Sequence, residues 1–144
     1  MAGIEHFVEV ARRHSVAEMG GDLEGTLATL EADPIYELFP VGLKLCGTGK
    51  VRRYYSYFME NVLHNFVDAT VHYESTDRPG HQKESTVWWR AADGSVRVTQ
   101  LLTILVYGQE KLRGERLYAD EAFLRFLFGP LWDEMEPHEA LLPS

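Results

Sequence analysis

The first part of the chain shows the hydrophobic spacing of three α-helices. Apolar positions recur every three or four residues in three separate segments, which is the period of an amphipathic helix. Asp22 follows a glycine pair and is well suited to cap the second helix, because its carboxylate can accept backbone hydrogen bonds. Pro34 ends that helix, and residues 35–39 form a short apolar strand. The helical stripes are Ile4, Phe7, Val8, Ala11 and Ser15, then Leu23, Leu27 and Leu30, then Val51, Tyr54, Tyr55, Phe58 and Val62.

From about His64 the hydrophobic period changes to two, which predicts β-strands. Polar turn residues divide this part into four consecutive strands, with a tight hairpin turn at Asp93-Gly94. Asp120 caps a closing helix that Gly129 and Pro130 terminate. Helices gathered before hairpin-connected strands predict an α+β fold, in which a curved antiparallel sheet wraps over three N-terminal helices and a short helix closes the chain. The four strands are expected at residues 64–76, 83–91, 96–107 and 112–118.

Length and composition narrow the class of protein. The 144 residues suit one domain spanning 1–144, of which 133–144 form an acidic tail. A net charge of −8 repels phosphate backbones and argues against a nucleic-acid partner. No apolar run approaches the roughly 18 residues of a membrane span, which argues against a membrane protein. A single cysteine, Cys46, and a mixed-charge N-terminal segment give no sign of secretion, so we expect a cytoplasmic protein.

Four stretches of the sequence, in their order and spacing, resemble the nuclear transport factor 2-like superfamily, and within it the SnoaL-like and ketosteroid-isomerase-like proteins. The resemblance spans nearly the whole chain and implies a cone-shaped α+β barrel with an apolar cavity at its open end. It also implies frequent dimerisation through the sheet. The stretches are GDLEG at residues 21–25, ADPIYELFPVG at 32–42, GTGKVRRYY at 47–55 and GERLYAD at 114–120.

The superfamily hosts several activities, so the resemblance alone does not assign one. Ketosteroid isomerases carry a general-base carboxylate where this chain has Phe39, and their oxyanion-binding tyrosine aligns with His14. Limonene-type epoxide hydrolases carry a water-activating aspartate where this chain has Leu117, although Tyr36 matches their water-holding tyrosine. The chain is therefore not expected to be a typical member of either enzyme group.

An ungapped alignment with the epoxide hydrolase pattern, counted back from Tyr118, assigns candidate cavity residues on the strands. Glu84, Glu115 and His14 are the candidate catalytic groups, because a carboxyl group or an imidazole in an apolar cavity can act as an acid or a base near neutral pH. The alternative is that both glutamates are solvated or paired with arginine, and that His14 is a hydrogen-bonded core residue. The candidate substrate-binding residues are Tyr36, Leu38, Tyr54, Phe58, Thr86, Trp88, Leu101 and Leu117.

No His, Cys, Asp or Glu spacing typical of metal ligands is present, and no motif for a cofactor, so neither is predicted. The leading hypothesis is a SnoaL-like protein that binds a small hydrophobic or aromatic molecule and acts as an isomerase or cyclase. The alternative is a non-catalytic ligand binder or dimeric interaction protein of the same fold. A homodimer is expected through the outer face of the sheet, with Trp89 near its centre. The predicted outer residues are Val87, Trp89, Leu102, Ile104 and Val106.

Overall fold

A computed structural model describes residues 2–141 and shows an α+β fold in which four helices accompany one curved sheet. The helices are α1 (Ile4–Met19), α2 (Leu23–Leu27), α3 (Thr48–Tyr57) and α4 (Glu121–Phe128). The strands are β1 (Leu30–Phe39), β2 (Leu43–Cys46), β3 (Phe66–Thr76), β4 (Gly80–Arg90), β5 (Val96–Tyr107), β6 (Leu112–Tyr118) and β7 (Glu136–Pro137).

The strands form a single mixed sheet in the order β3-β4-β5-β6-β1-β2-β7. β1 runs parallel to β6, whereas the other neighbouring strands are antiparallel, so the expectation of a purely antiparallel sheet is wrong at this one junction. The inward side chains of the sheet and those of α1, α3 and α4 form one continuous hydrophobic core. No helix among residues 2–141 combines the length and the apolar character that crossing a membrane requires.

The two predicted aspartate caps are confirmed. The Asp22 carboxylate accepts the Gly25 N–H at 2.9 Å, and the Asp120 carboxylate accepts the Phe123 N–H at 2.9 Å. Each cap satisfies a backbone donor that the first helical turn leaves without an intrahelical partner.

The segment around Pro34 differs from the prediction. Leu30 begins β1 rather than extending α2, and Pro34 lies within that strand. Pro34 is tolerated there because β1 is irregular at this point, where its pairing with β6 shifts between Leu30 and Ile35. The buried face of α1 is also rotated from the predicted stripe, since Ile4 and Val8 are exposed. Its buried residues are Phe7, Val10, Ala11 and His14.

The acidic tail adds a short strand to the sheet edge within the described residues. Its Glu136 and Pro137 pair with Lys44 and Leu43 of β2. The His138 ring donates from Nε2 to Glu37 at 2.7 Å, so this part of the tail is held against the sheet. Residues 142–144 of the predicted tail lie outside the described residues.

The β4–β5 hairpin sets which side chains of β4 face inward. A two-residue loop at Asp93-Gly94 would place Ala92 opposite Ser95. Instead, the Ala91 N–H donates to the Ser95 carbonyl at 2.8 Å, and the loop contains three residues. Gly94 takes the left-handed conformation, with φ of 85°, that such a three-residue loop requires. The longer loop shifts the pairing of β4 with β5 by one residue. Each side chain of β4 therefore lies on the face opposite to the one that a two-residue turn would give it.

Gly114 lets β6 approach β1 immediately before Glu115. Its φ is 155°, and a Cβ at this position would lie 1.8 Å from the Ile35 carbonyl oxygen. The close approach aligns Glu115 with Tyr36 across the parallel pair. The glycine therefore positions a candidate catalytic side chain.

Candidate functional site

A cavity of about 380 Å³ lies between the helices and the inner face of the sheet. Its walls are mainly apolar and come from α1, α3, the strands β3 to β6, and α4. Several hundred cubic ångströms is the usual size of a small-molecule pocket. The apolar wall includes Tyr54, Phe58, Phe66, Val87, Leu101, Leu105, Leu117, Phe123 and Leu127.

His14 lines this cavity from α1 and is almost completely buried. Its Nδ1 atom lies 2.8 Å from the hydroxyl oxygen of Thr29, and that hydroxyl donates its own proton to the Thr26 carbonyl at 2.6 Å. Because the Thr29 proton is already used, Nδ1 must donate to Thr29. When the ring is neutral, its lone pair is therefore on Nε2, and the protonated ring can donate from Nε2 to the neighbouring Glu18 carboxylate.

Glu18 lies one helical turn after His14, and the i, i+4 spacing places both side chains on one face of α1. Its Oε2 atom is 3.2 Å from His14 Nε2. The Tyr55 hydroxyl donates to the same oxygen at 3.1 Å and in turn lies 2.5 Å from the Tyr36 hydroxyl. Burial raises the pKa of both phenols well above the ordinary value, so they remain donors. His14 and Glu18 thus form an imidazole–carboxylate pair. The hydroxyl groups of Tyr55 and Tyr36 extend the hydrogen-bond chain from the Glu18 carboxylate.

Glu115 enters the cavity from β6 and is 9% exposed. No hydrogen bond from another group in residues 2–141 reaches its carboxyl oxygens. Burial, followed by the nearby negative charge of Glu18, raises the pKa of Glu115 well above its ordinary value of 4.5, and Lys83 opposes this shift only partly. The protonated form of Glu115 is therefore favoured compared with that of a solvated glutamate, and in that form the group can donate a proton to a ligand.

His14, Glu18 and Glu115 bring one donor atom each to within 4.8 Å of one another. We call these three side chains the acid–base cluster. Within residues 2–141 they are also the one set of His, Cys, Asp and Glu side chains whose spacing could accommodate a metal ion, although no sequence motif predicts one. A base on one side of a cavity and a neutral acid nearby are the two groups that proton transfer requires.

The structure brings six of the predicted site residues to the cavity wall. Two of the predicted substrate-binding residues, Tyr36 and Leu38, lie instead in the fully buried core on the inner side of β1. Tyr36 contributes through its hydroxyl contact with Tyr55. The six at the wall are His14, Tyr54, Phe58, Leu101, Glu115 and Leu117.

The predicted inward orientation of Glu84, Thr86 and Trp88 is wrong. Ser85 pairs with Leu101 and Lys83 with Thr103, and directly opposed residues share a face of the sheet. The odd-numbered residues of β4 therefore face the cavity, and Glu84 is exposed on the outer side. The three-residue hairpin loop at Ala92–Gly94 is the reason, because it shifts the register by one position.

The same shift corrects the predicted outer face. Val87 and Trp89 are buried inside, so Trp89 does not lie at the centre of an outer patch. The Trp89 ring stacks on Phe126 at 4.5 Å, and its indole N–H donates to Thr99 at 3.0 Å.

Two charged cavity residues were absent from the sequence-based candidates. Glu18 could have been found from its spacing four residues after His14, which places it on the same helix face. Lys83 could have been found only with the correct hairpin register.

Comparisons with known proteins support the fold. No protein-family model matches the chain, and no curated protein matches its sequence. Among solved structures, a nuclear transport factor 2-like protein of unknown function from Cytophaga hutchinsonii is similar with a TM-score of 0.64 and 12% identity, covering 82% of this chain and all of the other. A candidate polyketide cyclase from Xanthomonas campestris has a TM-score of 0.60 and 13% identity, covering 83% and 93% of the two chains. A protein of ketosteroid isomerase-like fold from Catenulispora acidiphila has a TM-score of 0.58 and 14% identity, covering 84% and 92%.

Proposed function

We propose that this chain, which has the nuclear transport factor 2-like fold, is a cytoplasmic isomerase- or cyclase-type enzyme acting on a small hydrophobic or aromatic molecule. The observation that carries the proposal is the acid–base cluster in an apolar cavity. The apolar wall holds the body of the ligand, and the cluster faces its polar end. A cavity without ionisable groups would favour the alternative, a non-catalytic binder.

His14 acts as the base in this mechanism. Its Nε2 atom removes a proton from a carbon next to a carbonyl group, and the C–H electron pair forms a carbon–carbon double bond. The imidazolium that results lies 3.2 Å from the Glu18 carboxylate, which stabilises its positive charge. Thr29 holds the ring in the required tautomer through Nδ1.

Glu115 acts as the acid. The carbonyl π electrons move to the oxygen, and the protonated Glu115 donates a hydrogen bond to this developing negative charge. When a second double bond is conjugated with the enolate, return of the proton from His14 to the far carbon gives isomerisation. Attack of the enolate carbon on a second carbonyl instead gives ring closure, and the oxygen of that carbonyl takes up the proton from His14. Both outcomes use the same two groups, so the cluster alone does not choose between them.

The proposal is tested with 2-tetralone, an aromatic ketone with acidic α-hydrogens. In D₂O, the protein is expected to accelerate deuterium incorporation at its C1 carbon beyond the rate with the same concentration of free imidazole. Proton NMR follows the loss of the C1 signal. Exchange no faster than with imidazole, at ketone concentrations shown by titration to occupy the cavity, would overturn the catalytic assignment.

We also propose that the protein is a homodimer joined through the outer face of the sheet. With the corrected register, apolar side chains from β4, β5 and β6 lie on the side opposite the cavity, where the polar Thr86–Gln100 pair separates Trp88 and Val98 from Leu102, and Val98 remains 56% exposed. A second copy related by a two-fold axis would cover this patch with its own copy of the same patch. The patch comprises Trp88, Val98, Leu102, Ile104 and Tyr118.

Val98→Glu is expected to convert the dimer to a monomer, because it places a charge without a partner in the contact. Analytical ultracentrifugation at micromolar concentration measures the change from twice 16.5 kDa to 16.5 kDa. Val16→Glu is the matched control, since Val16 is 61% exposed on α1 and the same substitution there should leave the dimer intact. A monomeric unsubstituted protein would refute the proposed interface.

A further inference from the structure

The carboxyl group of Glu115 lacks a protein partner. It is nine-tenths buried, lies against the cavity, and accepts no hydrogen bond from another residue in the described part of the chain. Its oxygens are open to the cavity, since no fully enclosed side-chain N or O atom in the described residues lacks a partner. A ligand that fills the cavity would remove them from water, which is costly unless the ligand supplies a hydrogen bond. The missing partner is therefore best supplied by the molecule that occupies the cavity.

The charges around Glu115 show what kind of partner is missing. Glu18 also lines the cavity, whereas Lys83 is the one lysine or arginine that does so within residues 2–141. Lys83 does not come within ion-pair distance of Glu115. His81 is already engaged, because its Nε2 atom lies 2.8 Å from Glu74 and its Nδ1 atom contacts Thr76. The cavity consequently has more acidic groups than cations to balance them.

The apolar wall is compatible with a cation as well as with a hydrophobic body. Aromatic rings from α3, from the turn that follows α3, and from β3 and α4 line the cavity, and the face of an aromatic ring attracts a positive charge. Placed beside Glu18 and Glu115, an ammonium group has three N–H donors for two carboxylates. The rings are Tyr54, Phe58, Phe66 and Phe123.

We propose that the natural ligand is a hydrophobic amine, whose protonated nitrogen binds between Glu18 and Glu115 while its apolar body fills the cavity. This inference rests on the cavity of the proposed function and adds the charge of the ligand to it. His14 then lies next to the amine-bearing end, where its Nε2 atom can accept a proton from the ligand.

Three ligands that share one bicyclic body and differ in charge test the inference. They are 2-aminotetralin, which is cationic at pH 7.5, 2-tetralol, which is neutral, and tetralin-2-carboxylate, which is anionic. Isothermal titration calorimetry on the unsubstituted protein is expected to show 2-aminotetralin binding at least about 10-fold more tightly than 2-tetralol, since charge-assisted hydrogen bonds are about twice as strong as neutral ones. The carboxylate is expected to bind most weakly, because the Glu18 carboxylate repels it.

Single substitutions then test which side chains cause the preference for the amine over the alcohol. Glu115→Gln and Glu18→Gln are each expected to reduce the preference for the amine over the alcohol to about threefold or less. Glu84→Gln, the same change on the exposed outer face, should leave it unchanged. Circular dichroism establishes that each variant is folded, and the ligand series on the unsubstituted protein is informative even if one variant is not.

The outcomes separate this inference from the proposed function. Equal affinity for 2-aminotetralin and 2-tetralol would overturn the amine assignment while leaving a cavity for neutral ligands. A preference for the amine that persists in both glutamine variants would also overturn it, because the cation would then bind elsewhere. Failure of all three molecules to bind would contradict the ligand-binding cavity itself.

Discussion

Replacing His14 by glutamine is expected to slow deuterium exchange of 2-tetralone by about 10²–10⁴-fold, which is the usual contribution of a positioned general base. Glutamine is close to histidine in size, and its amide can still donate to Thr29 in place of Nδ1. What it lacks is a nitrogen lone pair able to take a proton. The loss should therefore appear in the rate, while the affinity for the ketone stays within a few-fold.

Glu84→Gln and His72→Gln provide controls for this measurement. Glu84 is exposed on the outer face, and His72 contacts Thr86 on that same face at 2.6 Å. Neither residue lines the cavity, so both variants should exchange the ketone at the rate of the unsubstituted protein. An unchanged rate in His14→Gln, or an equal loss in the two outer-face variants, would remove His14 from the role of base.

Sequence patterns predicted the fold well because the signals that define it are local. The helical period, the two aspartate caps and the change to a period of two each depend on a few neighbouring residues. Pro34 was misassigned for the same reason. Locally it resembles a helix terminator, and only its pairing with β6 shows that it belongs to β1.

The candidate site was harder to predict because its β4 residues depend on how β4 pairs with β5. Whether Glu84 or its neighbour Ser85 faces the cavity is decided by one residue in the loop at Ala92–Gly94, and a Gly-containing turn allows both lengths. Residues on α1 and β6 did not depend on that loop, so His14 and Glu115 were placed at the cavity correctly. Assigning Glu18 required treating His14 and its helical neighbours as a group.

Glu115→Gln is expected to raise the thermal stability of the unliganded protein at neutral pH, although it removes the proposed acid. Burial and the charge of Glu18 raise the pKa of Glu115 in the folded state, whereas the unfolded chain has the ordinary value of 4.5. Between these two values the folded state holds a proton that the unfolded state has released. Stability must therefore fall as the pH rises through this interval, by about 1.4 kcal/mol for each pKa unit that separates the two states.

Glutamine carries no titratable proton, so the stability of Glu115→Gln does not fall for this reason as the pH rises. The melting temperature of Glu115→Gln minus that of the unsubstituted protein should therefore increase between pH 4, where Glu115 is mostly protonated in both states, and pH 7.5. Differential scanning calorimetry at the two pH values measures the change, and Glu60→Gln should show a constant difference because Glu60 is exposed away from both the cavity and the sheet. A difference that is constant or shrinks as the pH rises would mean that Glu115 is ionised in the folded protein, and the neutral acid on which proton donation depends would be absent.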